Sequence, residues 1–127
     1  MRFKIDTKGN YLLITPLFPA LTLECVQKLS QLITDLSQNG SNAYIVDFTE
    51  LTQAEDLALP KLEEIHNNCY ALNHSVVYTN VDKALIQAMK KTEIDLIINI
   101  APTMQEAVDI INMEHVARDW FGDEPEE

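Results

Sequence analysis

The chain has 127 residues, an apolar fraction of 46% and a formal net charge of −11. That length and apolar content suit one domain with its own core, and they exclude general disorder. The charge argues against nucleic acid or an anionic membrane surface as partner, because both need basic side chains that displace counterions. It is compatible with plain solubility or with a protein partner carrying a basic docking face.

The opening MRFKIDTKGN has no apolar segment of signal-peptide type. No apolar run reaches the roughly 20 residues that span a bilayer. Cys25 and Cys69 form no CxxC pair, so a reducing compartment is the default. A cytoplasmic location without membrane insertion is expected.

Phe3 and Ile5 alternate with Lys4 and Asp6, as in a half-buried edge strand. Thr7–Asn10 reads as a turn, and Tyr11–Thr15 as a second strand paired with the first. Pro16 and Pro19 end it. Thr22 is placed as the N-cap of a helix whose Leu23, Val26, Leu29, Ile33 and Leu36 form one apolar stripe. Asn39-Gly40 stops that helix. Ala43–Phe48 is a near-continuous apolar run, the pattern of a strand covered on both faces.

The next helix start can be read in two ways. Thr52-Gln53-Ala54-Glu55 fits a capping box. It would set Pro60 deep inside the helix, at a cost of about 3 kcal/mol. Asp56 as N-cap puts Pro60 in or near the first turn, so Asp56 is the preferred cap. This helix runs to Ala71 or Leu72, with Leu59, Leu62, Ile65, His66 and Cys69 on one side. Ser75–Thr79 is a strand, Asp82 caps a short helix with Leu85, Ile86 and Met89 inward, and Leu96–Ile100 is the last strand. Thr103–Glu106 is a capping box for a final helix with Met104, Ala107, Val108 and Ile111 inward. Residues 1–117 form the domain, and residues 118–127 an acidic tail that frays.

The order ββαβαβαβα predicts an α/β layer fold, a mixed sheet of about five strands with four helices. It resembles the STAS domain (SpoIIAA-like), the family of bacterial anti-sigma factor antagonists and of the cytosolic tails of sulfate transporters. The resemblance rests on three features. One is the hairpin, helix and buried strand closing in Asp47-Phe48-Thr49. Another is the acidic turn that follows. The last is the tail pattern from Thr79-Asn80-Val81 through Met89–Ile94 to Thr103–Ala107. The family's phosphorylation loop, Asp-Ser-Ser-Gly-Leu, matches Glu55-Asp56-Leu57-Ala58-Leu59. Asp56 thereby takes the place of the phosphoacceptor serine, with a fixed charge of about −1 against −1.5 to −2 for phosphoserine.

What the resemblance implies is a non-enzymatic regulator of bacterial transcription, an anti-sigma factor antagonist with an altered phosphorylation loop, acting in signalling through protein–protein contact. The binding and switch surface is Thr49, Glu50, Leu51, Thr52, Glu55, Asp56 and Leu57, with phosphorylation lost or moved to Thr49 or Thr52. Leu51 and Leu57 are read as a partly exposed apolar centre within a charged rim. The alternative is a STAS subunit of a lipid ABC transporter-like complex, with the transporter ATPase as partner.

Catalytic alternatives are weaker. Glu55-Asp56 and Glu63-Glu64 are adjacent carboxylates and lack the opposed placement of a glycosidase pair. A magnesium site from Asp47, Glu50 and Asp56 has no phosphate-binding loop beside it. His66 and Cys69 share a helix face, where a core cysteine beside a half-buried histidine is commoner than a nucleophile pair. Three glycines cannot build a nucleotide-binding loop. No catalytic residue, metal or cofactor is expected. Trp120-Phe121 is either a docking element or folds back on the last helix.

Overall fold

The computed structural model describes residues 2–121. Its strands are β1 (Phe3–Thr7), β2 (Leu12–Pro16), β3 (Ala20–Leu21), β4 (Ala43–Asp47), β5 (Gln53–Ala54), β6 (Ser75–Thr79) and β7 (Asn99–Ala101). Its helices are α1 (Leu23–Gln38), α2 (Leu59–Ala71), α3 (Lys83–Lys91) and α4 (Met104–Phe121). The main sheet runs β1-β2-β4-β6-β7. Only β1 is antiparallel to its neighbour, so β2, β4, β6 and β7 all end at one rim. A two-strand bridge, β3 with β5, sits apart from this sheet.

Alternation along the central strands divides the core. Ile14, Tyr44, Val46, Val76 and Tyr78 point to the front face, where α1, α2 and α3 contribute Val26, Leu29, Leu62 and Leu85. Ala43, Ile45 and Val77 point to the back face, which Ala107 and Ile111 of α4 cover. This is why β4 and β6 read as unbroken apolar runs: both of their faces are buried.

Local signals set most element ends. Thr22 Oγ1 accepts the Cys25 N–H at 3.1 Å, Asp82 Oδ1 accepts that of Ala84 at 2.8 Å, and Thr103 Oγ1 accepts that of Glu106 at 3.2 Å. After α1, Gly40 adopts φ +101°; its N–H bonds the Ser37 carbonyl, and the Ser41 N–H that of Leu36. This reversal closes the helix end and needs a left-handed residue. Asn73 takes the same left-handed position after α2.

Three expectations are corrected. Asp56 is not the cap of α2. Residues Asp56–Ala58 form a 3-10 turn, and α2 begins behind it with Ala58 at its cap position and Pro60 in its first turn. The missing proline N–H would be an orphan there, so no capping side chain is needed for it. The last strand is not Leu96–Ile100. Glu93 takes a left-handed conformation that ends α3, and Ile94–Leu96 then turn helically, with an Ile98 N–H to Ile94 carbonyl bond. Ile94 and Ile98 are buried while Leu96 is 76% exposed. Pairing with β6 starts only at Asn99. Finally, α4 continues through Arg118 to Phe121, past the expected tail boundary. Arg118 anchors it there through bonds to Ser75 Oγ and the His74 carbonyl at 2.8 and 2.9 Å. Residues 122–127 lie outside the described residues.

Candidate functional site at the carboxyl rim of the sheet

The rim where the parallel strands end carries the turn between β4 and α2. Asp47 Oδ1 organises its first part. It accepts the Thr49 N–H and the Asn80 Nδ2, each at 3.0 Å, and the Thr49 hydroxyl. Asn80 supplies its amide from a left-handed residue just after β6. Asp47 is therefore a brace between two strand ends, which fits its partial burial.

The second part of the turn is strapped to the segment before α1. The Pro19 carbonyl accepts from the N–H groups of Thr52 and Gln53, and the Leu21 carbonyl accepts from that of Glu55 at 2.9 Å. β3 and β5 pair between these bonds. Glu55 Oε1 accepts the Leu23 N–H at 2.9 Å. The backbone of the turn is thus held on both sides while several of its side chains face outward.

The seven predicted residues divide in two. Thr49, Glu50, Thr52, Glu55, Asp56 and Leu57 are exposed, and Leu57 is 71% so. Leu51 is a correction: it is 1% exposed and belongs to the front core. Leu51 follows the buried strand so closely that its side chain drops under the turn, where its N–H bonds the Phe48 carbonyl. The apolar centre of the surface is therefore Leu57 alone, standing beside Asp56 and on the same turn as Glu50.

Among the described residues no three His, Cys, Asp or Glu side chains gather as a metal would require, and the Asp47 carboxylate is engaged by Thr49 and Asn80. Cys69 is buried and its thiol is pushed up to about 11 by that burial, far from the thiolate a nucleophile needs. His66 instead stacks on Tyr70, with ring centroids 4.2 Å apart. Burial holds His66 below the ordinary histidine value against the opposing pull of Glu114 and Glu63.

Sequence reasoning missed a polar cluster at the opposite rim. Tyr70 OH donates to both oxygens of Glu114, at 2.6 and 2.7 Å. Asn99 Nδ2 donates to Tyr70 OH and to Glu114 Oε2. Arg118 lies over the Tyr70 ring at 5.8 Å. The tyrosine hydroxyl is held well above its usual range, first by burial and then by Glu114. The only local trace of this cluster is the i,i+4 spacing of Glu114 and Arg118.

No protein-family model matches the chain. No curated protein matches it either. Solved structures do. A candidate anti-sigma factor antagonist of Thermotoga maritima superposes with a TM-score of 0.77 at 14% identity, covering 87% of this chain and 94% of that one. A serine-to-glutamate variant of Moorella thermoacetica RsbS gives 0.69 at 19% identity, covering 93% and 99%. The unphosphorylated anti-sigma factor antagonist SpoIIAA, a Bacillus cell fate determinant, gives 0.63 at 16% identity, covering 87% and 98%. This chain's mixed five-stranded sheet, with three helices on one face and one on the other, superposes on these proteins over most of its length, and the chain has the STAS fold in its SpoIIAA-like form.

Proposed function

We propose that the chain is a non-enzymatic, cytoplasmic regulator that binds another protein through the turn 49–57, and that it acts as an anti-sigma factor antagonist in bacterial transcription control. One observation carries the reading: a backbone fixed to both β6 and the segment before α1 presents Leu57 nearly free, among carboxylates. An apolar side chain on a rigid mount, ringed by charge, is the arrangement of an interface anchor. The preorganised backbone lowers the ordering cost of association. Three similar folds bear anti-sigma names, which supports the class of partner. No described helix is long and apolar enough to cross a membrane.

Asp56 is the switch position in this reading. It serves no cap, so its charge is free to act on a partner. A permanent carboxylate there imitates part of a phosphoserine's charge and sets the chain toward the state that phosphorylation would produce.

The test is an affinity capture from the native cells with wild type, Asp56→Ser and Leu57→Glu in parallel, read by mass spectrometry. A sigma-factor inhibitor retained by wild type or by Asp56→Ser, and lost with Leu57→Glu, is the expected result. Capture of a membrane transporter ATPase instead would replace the transcription reading with a transport one.

A further inference from the structure

The back-face helix α4 carries a second surface, remote from the turn. Its inner residues Ala107 and Ile111 are fully buried. On the outer side Met113, Val116 and Trp120 are 67, 55 and 76% exposed. Their steps of three and four place them in one row, and with Asn112 and Ala117 they line a shallow trough of about 550 Å³. Three large apolar side chains aligned on an otherwise polar surface are a contact patch rather than scattered exposure.

The charges around the row select its occupant. The same outward line begins with exposed Glu106 and Asp109, and exposed Asp119 stands beside Trp120. Arg118 is turned away into its bonds with Ser75 and His74. The charged side chains that border the row on α4 are thus carboxylates, on a chain of net charge −11. A second copy would bring acid against acid, and an anionic bilayer would be repelled. A segment whose apolar face is flanked by lysine or arginine meets both the row and its borders.

We infer that the outer row of α4 is a docking face for a basic amphipathic segment of a second protein. Because α4 starts at the carboxyl rim and runs to the opposite one, the row lies away from the turn 49–57, and both surfaces can be occupied at once. The inference does not depend on which partner the turn binds.

Trp120 is the single tryptophan, so its emission reports the row directly. The probes are an 18-residue amphipathic Leu/Lys peptide, its Leu/Glu counterpart, and vesicles of phosphatidylcholine or phosphatidylglycerol. The Leu/Lys peptide is expected to shift the emission to the blue and to saturate. Met113→Glu should weaken it at least tenfold although the substitution adds negative charge, while Leu57→Glu should leave it unchanged. A urea midpoint equal to wild type checks that Met113→Glu is folded, and Val116→Asp is the second variant. Equal binding of the peptide by both α4 variants would reduce the effect to net charge and overturn the inference. So would a blue shift with vesicles alone, equal binding of the Leu/Glu peptide, or a dimer in sedimentation that Met113→Glu dissolves.

Discussion

Glu55 caps a helix to which it does not belong: its Oε1 accepts the N–H of Leu23, the first residue of α1, at 2.9 Å. Thr22 takes the Cys25 N–H of the same turn. Two orphan donors of α1 are therefore satisfied, one from the chain before it and one from the turn beyond β4. A carboxylate at a helix N-terminus also meets the favourable end of the helix dipole. Glu55→Ala should lower stability by about 0.5–2 kcal/mol, read as a lower urea midpoint at unchanged slope. Glu55→Gln, which keeps an acceptor, should lose less.

Leu51 and Leu57 stand six residues apart on one turn and should behave as opposites. Leu51→Ala opens a cavity in the front core and should cost about 2–5 kcal/mol. Leu57→Ala should stay within about 0.5 kcal/mol of wild type and act on partner affinity instead. Equal urea midpoints for the two variants would contradict the burial that separates them.

Tyr70→Phe removes the hydroxyl that donates to Glu114 and accepts from Asn99. The carboxylate loses a close donor in a half-buried place, and the expected loss is about 1–3 kcal/mol. Glu114→Gln should cost less when combined with Tyr70→Phe than in wild type, since both changes break the same cluster. A double-mutant cycle measures this directly.

Acid should weaken the fold through histidine. His66 and His74 both sit below the ordinary value of about 6.5, each chiefly through burial, with Arg118 adding to the effect at His74. Glu114 and Glu63 face His66 and moderate its shift. The unfolded chain then binds more protons than the native one as pH falls through about 6.5, so stability present at neutral pH is lost toward each histidine's lower native value. Urea midpoints taken at pH 7.5 and 5.5 should fall with acid. His66→Phe, which keeps a ring against Tyr70, should remove part of that fall, and His74 the remainder.

The order of elements along the chain was legible because the signals for it are local. The double-sided burial of β4 gives an unbroken apolar run, and Thr22, Asp82 and Thr103 cap helices by bonds that span two or three residues. Asp56 misled because a carboxylate ahead of a helix looks the same whether the chain enters directly or through a 3-10 turn. The run Leu96–Ile100 misled for a related reason: so short a stretch, apolar but for Asn99, carries no period of its own, and the left-handed Glu93 decided how it turns. Leu51 and Leu57 differ by which side of a turn they occupy, and that is set by the bridge to Ala20 and Leu21 some thirty positions earlier. The cluster of Tyr70, Asn99, Glu114 and Arg118 joins residues up to 48 apart, beyond the reach of any spacing rule.

The two faces of the sheet are unequally loaded. Three helices and most of the large side chains sit in front, whereas the back is closed by α4 alone over a core that includes Ala43, Ala101 and Ala107. Ile45, Val77 and Ile111 are the larger side chains of that core, so the back layer has a smaller buried core than the front. Its lower half is fastened by polar bonds, through Glu114 and Arg118, instead. The layer with the smaller apolar core is expected to open before the front one, read as earlier amide exchange along α4. A protein that grips the outer row of α4 therefore pulls on the layer with the smaller apolar core, and its hold reaches the sheet through Ala107 and Ile111 as well as through the hydrogen bonds of Glu114 and Arg118.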